Sequence, residues 1–164
     1  MTKAGDIVLQ SIGVIHSPFK TIEGMPIQPS GAQGVLGEVE VFPRYAEGLQ
    51  DLEEFSHIIL LYYFHRARRA RLAIVPFMDS KPHGVFATRA PSRPNPVGLS
   101  VVRLIAREGN ILRVEGVDIL EGTPLLDIKP YVPAFDVHAA GRVGWLQRVG
   151  ADEVKAKRSD TRFR

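Results

Sequence analysis

Residues 97–117 read VGLSVVRLIAREGNILRVEGV. Val97 to Arg107 is rich in β-branched and apolar residues, Glu108-Gly109-Asn110 is turn chemistry, and Ile111 to Val117 alternates apolar and polar side chains. The stretch predicts a long strand that turns on Gly109 and pairs back as an antiparallel hairpin. Whatever else the chain does, its largest local unit is β, and the rest must supply strands to complete the sheet.

Working outward, the neighbouring segments read the same way. Ser56 to Phe64, SHIILLYYF, predicts a central strand buried on both faces. Gly37 to Phe42, GEVEVF, alternates as a half-buried strand. Val8 to Val14, Gly84 to Thr88 and Leu125 to Ile128 predict shorter strands, and KPYVPAF (129–135) leaves the last of these extended. Helix is sparse: a short one over Tyr45 to Leu52, an acidic turn at Asp51 to Glu54, and a helical turn around Trp145. Residues 20–37, with glycines at 24, 31, 34 and 37, form a long loop of the kind that often carries function. With no βαβ alternation, the pattern is mainly β, an antiparallel barrel or sandwich.

A chain of 164 residues is one domain in length and buries enough surface to hold a core without staples. There is no cysteine, which removes disulfides, thiolate metal sites and cysteine nucleophiles and is compatible with a reducing cytoplasm. The N-terminus lacks a signal-peptide core, and the longest apolar stretch, Ile58 to Phe64, is too short to span a bilayer, so no membrane partner is expected. The net charge is only +3, but it is uneven. Arg66, Arg68, Arg69 and Arg71 fall within six positions, and residues 155–164 hold five cations against one acid. Such clusters attract phosphate; a solvated face and a frayed basic tail over 151–164, following a folded unit over 1–150, is the bland alternative.

Two segments carry candidate chemistry. In GVFATRAPSRPNPVGLS (84–100), Pro91, Pro94 and Pro96 stiffen the backbone around Arg89, Arg93 and Asn95. Arginines held this way suit a carboxylate or phosphate, which they grip bidentately. In DILEGTPLLDIKPY (118–131), Asp118, Glu121 and Asp127 are carboxylates for a hydroxyl pair, an amine or a proton. Glu121 also reads as a turn acid, whereas Asp127, between Leu126 and Ile128, is costly to bury unpaired. His57 and His65 are eight residues apart on one strand, about 26 Å, too far to share a metal, and no other histidines show ligand spacing. No metal is expected. GxGxxG, Walker and GxSxG motifs are absent, so any nucleotide would bind by another mechanism.

GVFATRAPSRPNPVGLSVVRL and DILEGTPLLDIKPYVP, with IGVIHSPFK (12–20) and EEFSHIILLYYFH (53–65), resemble the signature blocks of the TrmO family, also called TsaA-like or YaeB-like. The resemblance covers roughly residues 8–136. It implies a single-sheeted β-barrel that binds S-adenosylmethionine, acts as a homodimer and methylates the exocyclic amine of threonylcarbamoyl-adenosine beside the tRNA anticodon. It places cofactor contacts on Gln28, Pro29 and Ser30, on His65 and Arg66, on Arg89, on Leu99, and along Asp118, Ile119, Leu120, Glu121 and Gly122. Arg93, Asn95, Asp127, Lys129 and Tyr131 also match its motifs; Arg93 or Arg89 would face anionic groups, and Asp127 or Tyr131 would take the departing proton. Longer members carry a C-terminal extension, and here only the basic tail and Arg66 to Arg71 stand ready to meet tRNA phosphates. A different substrate for the same cofactor, or a cofactor-binding module without catalysis, are the other readings.

Overall fold

The computed structural model describes residues 5–160, 162 and 163; Thr161 and Arg164 of the expected tail, and residues 1–4, lie outside them. Six strands close into an antiparallel barrel: β1 (Gly13–His16), β2 (Leu36–Val41), β3 (His57–Tyr63), β6 (Val97–Glu108), β7 (Ile111–Glu115) and β8 (Thr123–Pro130). The order around the barrel is β1-β2-β7-β6-β3-β8, and β8 returns to β1. A two-stranded ribbon, β4 (Ala73–Ile74) with β5 (His83–Gly84), stands apart from it.

The 97–117 stretch forms the predicted hairpin. Glu108 pairs with Ile111, so Gly109 and Asn110 make a two-residue turn. Gly109 sits at φ 63°, the left-handed conformation such a turn requires. Asn110 donates through Nδ2 to the Val41 carbonyl at 2.7 Å, which ties the turn to β2.

The barrel is filled by inward side chains from every strand. Ile15, Val39, Ile58, Leu60, Leu112, Val114 and Leu125 are fully buried. Each such side chain contributes about 1.5–3 kcal/mol relative to exposure. The alternation in β3 is strict: Ile58, Leu60 and Tyr62 point in, while Ile59 and Leu61 are half-covered and Tyr63 is exposed. The expectation of burial on both faces is therefore corrected. Among the described residues the outer side of β3 is only partly covered around Ile59 and Leu61, where Leu61 lies opposite Leu99 of β6.

Other elements depart from expectation for local reasons. The first strand begins at Gly13, not Val8, because β2 ends at Val41 and the chain turns away at Pro43; Ile7, Val8 and Leu9 are left exposed. The helix expected over 45–52 is a run of 3-10 turns, Pro43–Leu49 and Leu52–Glu54. The strand expected at 84–88 is the end of β5 and a 3-10 turn, Val85–Ala87. The extended reading of 129–135 fails at Pro133, which opens α1 (Pro133–Asp136); the Asp136 carboxylate accepts the Val132 N–H at 2.7 Å.

The described residues of the basic end are docked on the fold. Residues Ala151–Ala156 form α2, which contacts the turn at Pro29–Gly31. The Ser159 N–H donates to the Met25 carbonyl at 2.8 Å, and Arg162 donates to the Pro76 carbonyl at 2.7 Å. Phe163 is buried in a satellite cluster with Ile74, Val85 and Ala90, edge-on to Phe77 at 4.9 Å. An apolar ring among the terminal cations was the signal that this end docks. Among the described residues no helix is long and apolar enough to cross a membrane.

Candidate functional site

A cavity of about 1260 Å³ opens beside the barrel. Its walls come from the 22–30 loop, the end of β3 and the turn after it, the 86–95 segment, the first residues of β6, the 118–120 segment and residues from the chain's C-terminal part. These elements meet because β3 is paired along its whole length with the first half of β6, Tyr63 against Val97, so the chain leaving β3 and the proline segment entering β6 emerge side by side. The Phe64 N–H donates to the Pro96 carbonyl at 2.8 Å and holds them together.

Gln28, Pro29, Ser30, His65 and Arg66 lie on this cavity. So do Arg89, Arg93, Asn95, Leu99, Asp118, Ile119 and Leu120. Arg89 donates from Nη1 to Gln28 Oε1 at 3.3 Å, joining two loops far apart in sequence. Arg93 turns one guanidinium nitrogen back on its own segment, to the carbonyls of Thr88 (3.0 Å) and Ala90 (3.3 Å). Part of Arg93 thus shapes the loop rather than facing an anion.

Four expected residues are not on the cavity wall. Glu121 is engaged elsewhere: it accepts from the Ser17 N–H at 2.6 Å and pairs with His16 at 3.0 Å and Lys20 at 3.9 Å. Burial pushes its carboxyl up, but His16, the Ser17 N–H and Lys20 outweigh that and hold it below the usual range. Gly122 forms the exposed turn beside it. Asp127 pairs with Lys129 at 2.9 Å and borders a separate cleft with Tyr45 and Leu49. Tyr131 donates its N–H to the His57 carbonyl at 3.1 Å. The reason is directional. Strand β8 starts at the cavity with Thr123 and runs antiparallel to β3, so Asp127 and Tyr131 are carried toward the His57 end, away from His65.

Asp118 is the polar centre of the wall. Ser100 donates to its Oδ1 at 2.7 Å; the Tyr62 hydroxyl then donates to Ser100 at 2.9 Å. Burial pushes the Asp118 carboxyl up to about 6, against the pull of the Ser100 hydroxyl and Arg89. Burial, with the Asp118 charge next, also drives the Tyr62 phenol upward, so it stays protonated as a donor. His65 is lowered by burial and by the Arg66 charge, which keeps it neutral at pH 7. Thr123 gives its hydroxyl proton to the Leu120 carbonyl at 2.6 Å, so at 3.4 Å from His65 Nδ1 it is an acceptor. That favours a proton on Nδ1 and leaves Nε2 with a free lone pair.

Sequence reasoning missed the aromatic and apolar side of the cavity: Phe77, Met78, Phe86, Val143, Trp145, Leu146 and Phe163. The signals available were the chain's one tryptophan and the phenylalanine in the tail. Outside the cavity wall, Arg68, Arg69 and Arg71 have no carboxylate partner among the described residues, and neither has Arg66 on it.

Comparison with known proteins gives a consistent result. Residues 14–137 match the family model described as the tRNA-methyltransferase O N-terminal domain. A Pyrococcus abyssi protein named as a probable S-adenosyl-L-methionine-binding protein is 59% identical over 157 residues, covering 96% of this chain and 85% of that one. A mouse protein named tRNA (adenine(37)-N6)-methyltransferase is 36% identical, covering 82% of this chain but 33% of its own length. The crystal structure of TrmO from Pseudomonas aeruginosa superposes with a TM-score of 0.72 at 42% identity, covering 85% of this chain and 62% of that one. The chain therefore spans most of the archaeal relative and under two thirds of the bacterial structure.

Proposed function

The chain belongs to the tRNA-methyltransferase O family, and from that premise we propose that it binds S-adenosylmethionine in the 1260 Å³ cavity and methylates the exocyclic amine of threonylcarbamoyl-adenosine beside a tRNA anticodon. One observation carries the reading. Residues 28–30, 65–66, 89, 99 and 118–120, which the family resemblance marks as cofactor contacts, converge on one cavity from five separate segments.

The wall fits the chemistry of that cofactor. Its ammonium or ribose diol suits the half-buried Asp118 carboxylate, its carboxylate suits Arg66 or Arg89, and its adenine suits apolar surface such as Leu99 and Ile119. When bound, S-adenosylmethionine supplies an electrophilic methyl group. The chain's contribution is positioning and charge, which account for most of the effect in a direct transfer. The new N–C bond would replace the methyl–sulfur bond, with the thioether of S-adenosylhomocysteine as the leaving group, and the amine nitrogen would shed a proton. Neutral His65, with Nε2 bare, is the acceptor the wall offers, in place of Asp127 and Tyr131.

Purified protein, methyl-labelled S-adenosylmethionine, and tRNA from cells with and without the threonylcarbamoyl modification test this directly. Label should enter only the modified tRNA. Equal label in both pools would remove the threonylcarbamoyl group from the reading, and cofactor binding without transfer would remove the enzyme.

Arg66, Arg68, Arg69 and Arg71 are proposed to meet tRNA phosphates. Each phosphate contact contributes close to one unit to the slope of log affinity against log salt. Replacing Arg68, Arg69 and Arg71 with glutamine should lower that slope by about 2–3 and leave cofactor affinity in place. An unchanged slope would assign these arginines to solvent alone. A second copy of the chain is the proposed cover for the outer face of β3, and sedimentation should find a dimer that Leu61→Asp dissociates.

A further inference from the structure

The cavity is larger than one ligand of S-adenosylmethionine's size needs, since drug-sized molecules fill roughly 300–1,000 Å³. Its contacts divide by chemistry. Gln28, Arg89 and Asp118 are polar lining residues, Arg89 bonded to Gln28 and acting on the Asp118 charge; Phe86 and Trp145 are aromatic lining residues. Residues beyond 137, where the family model ends, supply Trp145 and its neighbours Val143 and Leu146.

Trp145 is fixed at two points. Its Nε1–H donates to the Ala87 carbonyl at 2.8 Å, and its ring stacks on His83 at 4.9 Å and 19°. His83 is itself held by Asp79 at 2.9 Å. A simple anchor for residues 143–148 would explain these contacts. It would not explain Phe86, one residue before the carbonyl that holds Trp145. Phe86 is 75% exposed, has no ring partner among the described residues and lines the same cavity. Two aromatic rings, Trp145 fixed and Phe86 open to solvent, on the lining of a cavity that also carries Arg66 and Asn95 match a planar heteroaromatic ring attached to a phosphate backbone.

We infer that Trp145 and Phe86 form a stacking subsite for the substrate's nucleobase, built by the C-terminal segment next to the cofactor residues. The inference rests on the proposed function, because it names where that substrate's base sits. The C-terminal segment is then a specificity wall as well as a structural strap.

Trp145 is the chain's only tryptophan, so its fluorescence reports on this subsite alone. The protein is saturated with S-adenosylhomocysteine and titrated with two fluorophore-labelled anticodon stem-loop RNAs. One carries threonylcarbamoyl-adenosine beside the anticodon, and the other an abasic ribose there. The base-bearing RNA should quench Trp145 in a saturable way and the abasic RNA should not. By anisotropy, Trp145→Ala should weaken the base-bearing RNA about tenfold and the abasic RNA little, with Trp145→Phe in between. If both RNAs bind alike and Trp145 is silent while label still transfers, the subsite is wrong and the methyltransferase reading stands. If neither RNA binds, both fall. The unsubstituted protein's fluorescence decides the matter even if Trp145→Ala does not fold.

Discussion

Asp118→Asn should raise the stability of the ligand-free protein at neutral pH and at the same time weaken S-adenosylmethionine at least tenfold. The two effects have one cause. Asp118 titrates at about 6 when folded, against 3.8 ordinarily, because burial disfavours its charge. Between those values the folded state holds the proton more than the unfolded state does, so stability falls as pH rises through the window. Above it the charged carboxylate costs on the order of 2 kcal/mol, after screening of a half-buried group. Asparagine keeps an oxygen for the Ser100 hydroxyl but carries no charge, so the variant loses this slope. Below about pH 4 the two proteins should melt alike. On the proposed function, the cofactor's ammonium or ribose diol is the group that uses this charge. A charge-assisted hydrogen bond contributes about 1.5–3 kcal/mol, which is roughly ten- to a hundredfold in affinity. Melting curves from pH 4 to 8 and calorimetry with S-adenosylmethionine read both effects. Destabilisation at pH 7 would mark Asp118 as structural, and unchanged affinity would remove it from the binding site.

The barrel was legible where local patterning and tertiary demand agree. The 97–117 hairpin has alternation on both arms and a glycine where the turn needs one, so nothing competes with it. Strand β8 was expected over 125–128 and runs from Thr123 to Pro130. Its two prolines lack the N–H a ladder needs, yet Pro124 falls in register with Val14 and Pro130 with Ile58. Register along neighbouring strands overrode the local signal. The candidate site divides the same way. Asp118 and Glu121 are three residues apart and were both candidates for the cofactor, Glu121 also reading as a turn acid, but Ser100 and the cavity take one while His16 and Ser17 take the other. Only the closure of the barrel decides which carboxylate faces which side. The aromatic wall was out of reach for a further reason: Trp145 is anchored to the Ala87 carbonyl, next to Phe86 in the chain, by one hydrogen bond across 58 residues, which no periodicity encodes.

Gly98→Val is expected to do more damage than any other single change near the cavity, and to do it through the core. A Cβ at this position would lie 2.5 Å from Tyr62 Cζ and 2.9 Å from Phe64 Cζ. The Tyr62 ring is buried, edge-on to Phe64 at 5.4 Å, and tied by its hydroxyl to Ser100. To make room it must leave Ser100, and Ser100 is the donor that holds Asp118. Overpacking of this kind typically costs about 1–3 kcal/mol, and loss of a buried hydrogen bond adds about 1 more. The melting temperature should fall by several degrees and cofactor affinity should fall with it, since Gly98 also lines the cavity. Gly84→Ala is the matched control, because a Cβ there meets nothing within 4 Å. If Gly98→Val melts like the parent, Tyr62 is free to move and the chain from Gly98 through Tyr62 and Ser100 to Asp118 is not rigid. If it melts lower yet binds the cofactor as tightly as the parent, the Tyr62 hydroxyl is dispensable for placing Asp118.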